Sequence, residues 1–450
     1  MTAVSNSRNS ILLAIGDLIT YVVSLIFTLA IRYGEIPSST LIGQHVPAFS
    51  ILFIVFLIIN LAAGLYDKQS IFVREKIQGT ILKGQALNVI TGIIFFYLAP
   101  VSIAPKANLF IFFVLSTGLL YLWRMIMYPV LGQSRPQTAI IVGSGEDIDD
   151  LRDELNEHNG YGLVFSEHVV PDSDVDSTVR AISTAVSRTH ATIIVADLHN
   201  ARVESAMSFL YSLIFSGVNV IDASRLYESV FDRIPMSMVG DRWLVENSAT
   251  ALGNRRIYDV LKRAMDIVIA AIIGTISLVF YPFVFAAVKL DDKGVLFSYQ
   301  NRVGQKNKIV RIIKFRTMTV ANDHGKWGSQ ENKITRIGSF LRKTRIDELP
   351  QLWNVLIGDI SLIGPRPEFP DPVDTYSSEI PYYNIRHIVK PGLSGWAQIY
   401  HERHPHHGID TEETRNKLSY DLYYLKNRSF MLDLKIALQT VRVMLSFVGK

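Results

Sequence analysis

Apolar residues fall into two kinds of run along this chain: long unbroken ones in the first third, and short ones broken by polar stretches beyond. Ile11 to Ile31 is almost wholly apolar. As a helix rising about 1.5 Å per residue it covers roughly 30 Å, the thickness of a bilayer core. Val46 to Tyr66, Ile81 to Val101 and Leu109 to Val130 follow, so the pattern predicts a four-span bundle over 1–134. The run from Ile81 is the weakest, because Lys83, Gln85 and Asn88 interrupt its start. No small-residue cleavage site ends the first run and more spans follow, which argues against a cleavable signal peptide. Lys68, Arg74 and Lys76 lie between the second and third runs, whereas the other connections hold little beyond Arg32 and Lys106. That bias turns both ends of the set to the cytoplasm. Asp17 and Arg124, in or near the apolar runs, are expected to pair or to face the bundle interior.

After Arg135 the pattern becomes that of a soluble α/β module, over 135–250. Thr138 to Val142 reads as a buried strand, Gly143-Ser144-Gly145 as a tight turn and Asp147 to Leu155 as a helix. The apolar runs Ala191 to Ala196 and Val218 to Ile221 continue the alternation. A dinucleotide site is the tempting reading. The glycine fingerprint is incomplete, however, with Ile148 where the third glycine belongs, and Glu146 and Asp147 would repel a pyrophosphate.

A fifth apolar stretch, Met265 to Val288, lies in a linker-and-membrane segment over 251–290. Pro282 interrupts its second half and is expected to remove a backbone hydrogen bond and bend the helix. Lys262 and Arg263 precede it, and Lys289 and Lys293 follow. Basic flanks on both ends predict a helix that enters and leaves on one membrane face; the alternative is a kinked full crossing.

The remaining part, 291–450, carries the candidate chemistry. Its charge is uneven: from Lys293 to Ile346 there are 13 Lys and Arg against Asp323 and Glu331. That excess suits a polyanionic ligand or anionic headgroups, and no motif for nucleic acid accompanies it. The chain has no cysteine, which excludes disulfides and thiolate chemistry and leaves oxygen or imidazole ligands for any metal. Asp347 and Glu348 open what reads as a short amphipathic helix with Leu349, Leu352 and Leu356 on one face and Gly358 as its stop. Acidic residues and Pro350 at such a place are also how ordinary helices begin.

The flanks change that reading. NRVGQKNKIVRIIKFRTM (Asn301 to Met318) precedes the pair, IGPRPE (Ile363 to Glu368) follows it, and VKPGLSGWAQI (Val389 to Ile399) comes later. In this order, after one hydrophobic segment, they resemble the monotopic phosphoglycosyl transferases, bacterial enzymes that load a sugar 1-phosphate onto a polyprenol phosphate. The resemblance runs from about Arg256 to the C-terminus. It implies a UDP-sugar donor, undecaprenyl phosphate as acceptor, a re-entrant helix and a catalytic part on the cytoplasmic face of the bacterial inner membrane. Large members are similar to this chain in having four spans and an α/β module associated with assembly and dimerisation, so a homodimer is expected. The fold class expected is a multi-part membrane protein: a four-helix transmembrane bundle, a Rossmann-like cytoplasmic module, then a re-entrant helix with a mainly helical α+β catalytic domain.

A carboxylate can attack phosphorus and hold the phosphosugar as an acyl phosphate, which splits the transfer into two displacements. Asp347 suits that role, the helix start favouring its ionised form. Glu348 is the candidate ligand of Mg2+, an ion that binds through one or two carboxylates plus substrate phosphates. The resemblance implies the same roles. Arg302, Lys314, Arg316 and Arg366 are the candidate phosphate ligands. Pro365 and Pro367 stiffen the backbone around Arg366, while Lys306, Lys308, Arg342 and Lys343 read as surface charge.

Asp433 and, more weakly, Asp421 match the family's C-terminal pattern as active-site candidates, or else cap or pair. The tyrosines at 420, 423 and 424 suit a membrane interface. Gly392, Gly395 and Trp396 read as a loop fixed by backbone needs, with Trp396 either packed or anchored at headgroups. His401, His404, His406 and His407 cluster without metal-binding spacing. Two other readings compete with transfer: a membrane-tethered NAD-dependent sugar-modifying enzyme, against which the α/β module lacks a Tyr-x-x-x-Lys pair, and a non-catalytic scaffold for polysaccharide assembly.

Overall fold

The computed structural model describes residues 6–66, 74–98, 106–132, 136–158, 161–251, 256–291, 294–319, 333–400 and 410–445. The histidine cluster at 401–407 lies outside them. The chain divides into two compact units, Met1–Phe231 and Asp232–Lys450. Among the described residues five helices are long and apolar enough to cross a membrane, as a membrane protein requires.

Four of these form the first part of the first unit: α1 (Asn6–Tyr33), α2 (Ser39–Ala62), α3 (Arg74–Leu98) and α4 (Lys106–Gly132). Tyr21, Phe49, Phe56 and Phe112 are fully buried between them. Phe112 stands 5.4 Å from Phe49 and 6.3 Å from Phe56, within the range of favourable ring contacts. Ile11, Ile15 and Ile19 point outward, an apolar exterior that suits lipid. Asp17 Oδ2 accepts hydrogen bonds from Arg124 at 2.7 Å and from Tyr66 at 2.8 Å, so the expected ion pair is present among the helices. Asn60 and Asn88 donate to the Tyr21 hydroxyl at 2.8 and 3.2 Å. Asn88, which weakened the third apolar run, is thus an inward polar contact.

The rest of the first unit holds a parallel sheet in the order β2-β1-β3-β4, from β1 (Gln137–Val142), β2 (Leu163–Val169), β3 (Ile193–Ala196) and β4 (Asn219–Asp222). Helix α5 (Glu146–Glu157) follows β1, and α6 (Val175–Thr189) follows β2. Ala139 to Val142 and Ile193 to Ala196 are buried, which is why they read as continuous apolar runs. A Cβ on Gly143 would meet the Ile148 side chain at 3.0 Å and Asp197 Cβ at 3.2 Å. Gly145 has φ 108. Both glycines therefore serve the strand–helix turn itself.

The second unit carries a 3-10 turn at Met236–Met238 and a helix at Asp241–Ala251, followed by α7 (Arg256–Ser277), a single 3-10 turn at Leu278–Phe280, and α8 (Tyr281–Asp291). Pro282 is the second residue of α8, where its missing N–H costs little. The interruption expected at Pro282 thus falls just before it, and the proline opens the second arm rather than breaking it. Ala270 of α7 packs with Leu352 and Val355, whereas Val284 and Val288 of α8 pack with Phe315 and Leu341. Leu278, Val279, Phe280 and Phe283, at the break, are exposed.

The hairpin β5 (Phe297–Val303) and β6 (Ile309–Phe315) follows, with Arg302 opposite Val310 and Ser298 opposite Lys314. Strand alternation puts Arg302 and Lys314 on one hairpin face. Beyond lie α9 (Arg336–Lys343), α10 (Gln351–Ile357), β7 (Ser361–Ile363), α11 (Pro370–Glu379), β8 (Gly392–Ser394), α12 (Thr411–Asn427) and α13 (Phe430–Leu445). Trp396 is 1% exposed and donates from its indole to Asp232 O at 2.8 Å, while Tyr424 is likewise buried. These two rings are core residues, not headgroup anchors.

Candidate active site

Asp347 and Glu348 do not start a regular helix. They occupy a separate 3-10 turn, Ile346–Glu348, entered through Arg345 in the left-handed conformation at φ 57; α10 begins only after Pro350. A one-turn element has little dipole to offer, so the ionisation of the pair is decided by burial and neighbouring charge.

The two carboxylates are driven in opposite directions. Burial pushes the Asp347 carboxyl above its usual range, with Lys314 opposing and the Glu348 charge adding to the rise. Burial works the same way on Glu348, but Lys314, Arg366 and Arg345 outweigh it and hold its carboxyl well below that range. Glu348 Oε1 accepts from Lys314 Nζ at 3.1 Å and from Arg366 Nη2 at 3.0 Å, with Arg345 Nη1 at 3.8 Å. Adjacent groups with divergent pKa values are a mark of divided chemical labour. Asp347, only 6% exposed, is a poorly hydrated carboxylate; Glu348 is a fixed anion that gathers cations.

The sequence-derived phosphate ligands separate by position. Lys314 and Arg366 meet on Glu348. Arg302 stands beside them, its guanidinium carbon 3.3 Å from the Phe369 ring centroid, donating to Gln300 Oε1 at 2.8 Å and to Pro367 O at 3.4 Å. Arg316 is buried and lays its guanidinium on Gly294, where a Cβ would fall 1.7 Å from Nη1. Arg342, read as surface charge, donates to Thr317 Oγ1 at 3.0 Å and lowers the pKa of Asp347. Arg345 was passed over entirely. Its left-handed backbone at φ 57, which is invisible in sequence, accompanies the approach of its Nη1 to Glu348.

Asp433 and Asp421 are both ion-paired. Asp433 accepts from Tyr258 at 2.7 Å, Lys262 at 2.8 Å and Tyr424 at 2.9 Å, and so ties the foot of α7 to α12 and α13. Asp421 lies 2.7 Å from Arg386 Nη2, both groups 1% exposed. A buried charge with matched partners is retained by them.

The loop that presents Arg366 rests on close backbone approaches. Gly392 N donates to Pro365 O at 2.9 Å and Gly364 N to Ser394 O at 2.8 Å. A Cβ on Gly392 would fall 2.1 Å from Gly364 N, and one on Gly395 would fall 2.5 Å from Gly364 O. The glycines expected to fix this loop do so by letting two chain segments touch.

Residues 257–447 match the family described as bacterial sugar transferase. A UDP-N-acetylgalactosamine-undecaprenyl-phosphate N-acetylgalactosaminephosphotransferase of Aeromonas hydrophila is 40% identical over 263 residues, 57% of this chain and 59% of the relative. A UDP-glucose:undecaprenyl-phosphate glucose-1-phosphate transferase of Klebsiella pneumoniae is 40% identical over 40% of this chain, and the match spans 39% of that protein. The sugar transferase EpsL of Bacillus subtilis is 40% identical over 42% of this chain and 90% of its own length. The match therefore spans 59% and 39% of the first two of these relatives.

Proposed function

The chain belongs to the bacterial sugar transferases, and on that premise we propose that it moves a sugar 1-phosphate from a UDP-sugar to undecaprenyl phosphate and releases UMP. The observation that carries the reading is the buried Asp347 beside a Glu348 already clamped by Lys314 and Arg366. The names of the Aeromonas and Klebsiella relatives supply the donor and acceptor classes.

In the proposed mechanism an Asp347 carboxylate oxygen attacks the β-phosphorus of the UDP-sugar. The bond from that phosphorus to the bridging oxygen breaks, and UMP departs with the electron pair. An oxygen of undecaprenyl phosphate then attacks the Asp347-bound phosphorus, which frees Asp347 and yields the undecaprenyl diphosphate sugar. Lys314, Arg366 and Arg302 offset charge on the phosphates, and desolvation keeps Asp347 reactive.

Magnesium fits this site only together with the diphosphate. Among the described residues no group of three or more His, Asp and Glu could hold a metal alone, and Glu348 is already bound by cations. With a diphosphate sharing Lys314 and Arg366, Glu348 would be the protein ligand for Mg2+, which would supply further charge neutralisation.

The same reading assigns roles to the other parts. Helices α1 to α4 form a transmembrane four-helix bundle, the parallel sheet belongs to a Rossmann-like cytoplasmic module, and the protein works as a homodimer in the inner membrane. The segment α7–α8 is re-entrant: both arms pack on the rest of the second unit, to which they belong, and the residues at its break are apolar and exposed. That geometry keeps Asp347 on the cytoplasmic side, where nucleotide sugars are made. The product starts a polysaccharide, O-antigen or capsule repeat unit.

Purified protein assayed for UMP release across a panel of UDP-sugars tests the proposal. Sustained release with at least one sugar, dependent on undecaprenyl phosphate, is expected. Absence of release across the panel would favour a non-catalytic scaffold.

A further inference from the structure

Behind the Arg366 loop, Glu368, Tyr383, Arg386, Lys417 and Asp421 form an ionic cluster. Glu368 accepts from Tyr383 at 2.6 Å, pairs with Arg386 Nη1 at 2.9 Å and also pairs with Lys417. Arg386 Nη1 donates to the Tyr383 hydroxyl at 2.7 Å, and Nη2 pairs with Asp421 at 2.7 Å. Two acidic and two basic residues thus balance in a place where a lone charge would be costly. Arg386 Nη2 also donates to the main-chain carbonyl of Arg366 at 3.1 Å.

Pro365 and Pro367 have no N–H, so the carbonyls carry much of this loop's backbone hydrogen bonding. Each of four successive ones has its own donor. Gly392 N bonds Pro365 O, Arg386 bonds Arg366 O, Arg302 bonds Pro367 O, and Val303 N bonds Glu368 O. Arg386 is the donor at the residue whose guanidinium meets Glu348, and its own position is set by Glu368 and Asp421 on opposite sides.

We infer that Arg386 is a positioning residue for Arg366: braced by Glu368 and Asp421, it holds the Arg366 carbonyl so that the Arg366 guanidinium is pre-aimed at Glu348 and the substrate diphosphate. The inference rests on the proposed transfer. It gives Asp421, a candidate for the active site itself, a supporting role through Arg386.

A double-mutant cycle tests it with the full-length protein in detergent or nanodiscs. Wild type, Arg386→Lys, Arg366→Ala and the double variant are compared for kcat and KM of UMP release and for UDP affinity. Positioning predicts that Arg386→Lys lowers kcat about tenfold or more with a smaller change in KM, and that it adds less than about threefold when Arg366 is already alanine. Multiplying effects would overturn the inference, because the role of Arg386 would then be purely structural. If Arg386→Lys does not fold, Tyr383→Phe removes one hydroxyl from the brace and enters the same cycle. The UDP arm needs no turnover. A wild type that binds UDP without releasing UMP sinks the proposed transfer but still reads the coupling, and one that binds no UDP sinks both.

Discussion

Arg366 donates to Glu348 at 3.0 Å across the mouth of the turn that carries Asp347. The same Glu348 oxygen takes Lys314 at 3.1 Å, so one carboxylate holds two cations where the diphosphate is proposed to bind. On the proposed function, Glu348 stands in for part of the substrate's charge. Changing Glu348 to Gln should therefore lower stability by about 1–3 kcal/mol, as the cations lose a charged acceptor. In metal-free buffer UDP should raise the melting temperature of Glu348→Gln more than that of wild type, by supplying the missing anion. Thermal unfolding with and without UDP measures both. Equal shifts would mean that the diphosphate does not meet these cations.

The close approach of Gly392 to Gly364 gives a second expectation. A methyl at Gly392 would collide with the Gly364 backbone, and no side-chain rotation relieves that. Gly392→Ala should cost about 1–3 kcal/mol or more and lower kcat as well, because Gly392 N holds Pro365 O in the Arg366 loop. Denaturant unfolding and UMP release, measured together, check the pair of effects.

Acid should remove activity before it removes the fold. The Asp347 carboxyl is raised above its ordinary 3.8, so the ionised form proposed as the nucleophile is lost at a higher pH than that of a free Asp would be. Glu348 and Glu368 are depressed below 4.5: burial opposes their charge, but Lys314 and Arg366 on the first, and Lys417 and Arg386 on the second, prevail. Their contribution to stability is present above pH 4.5 and is lost as pH falls below it toward their folded values. A kcat/KM profile and a pH series of melting temperatures should therefore separate, activity falling first. Glu368→Gln should flatten the acid loss of stability.

Much of this architecture was legible in the sequence. The four long apolar runs became helices, and β1 and β3 were readable because burial on both faces leaves an unbroken apolar string. The strand β2 was missed: at the sheet edge its Ser166, Glu167 and His168 face outward or half outward and break the string. In the candidate site Lys314 and Arg366 announced themselves through their motifs. Arg345 did not, since nothing in the residue string reveals a left-handed φ. Glu368 and Arg386 are 18 positions apart in numbering and meet only through the fold.

The re-entrant reading has a direct check, because the chain contains no cysteine. Ile257→Cys and Leu290→Cys put single thiols on residues that are 79% and 88% exposed, at the two ends of the α7–α8 segment. In sealed inverted vesicles an impermeant maleimide should label both from the cytoplasmic side. Labelling from opposite sides would mean a full crossing.

The covalent step is tested most directly by exchange. Wild type incubated with UDP-sugar and labelled UMP, without undecaprenyl phosphate, should return label to the UDP-sugar, because the Asp347-bound phosphosugar forms and reverses without the acceptor. Asp347→Asn should reduce that exchange about a thousandfold or more. Exchange that requires the lipid acceptor, or that persists in Asp347→Asn, would contradict a phosphosugar held on Asp347.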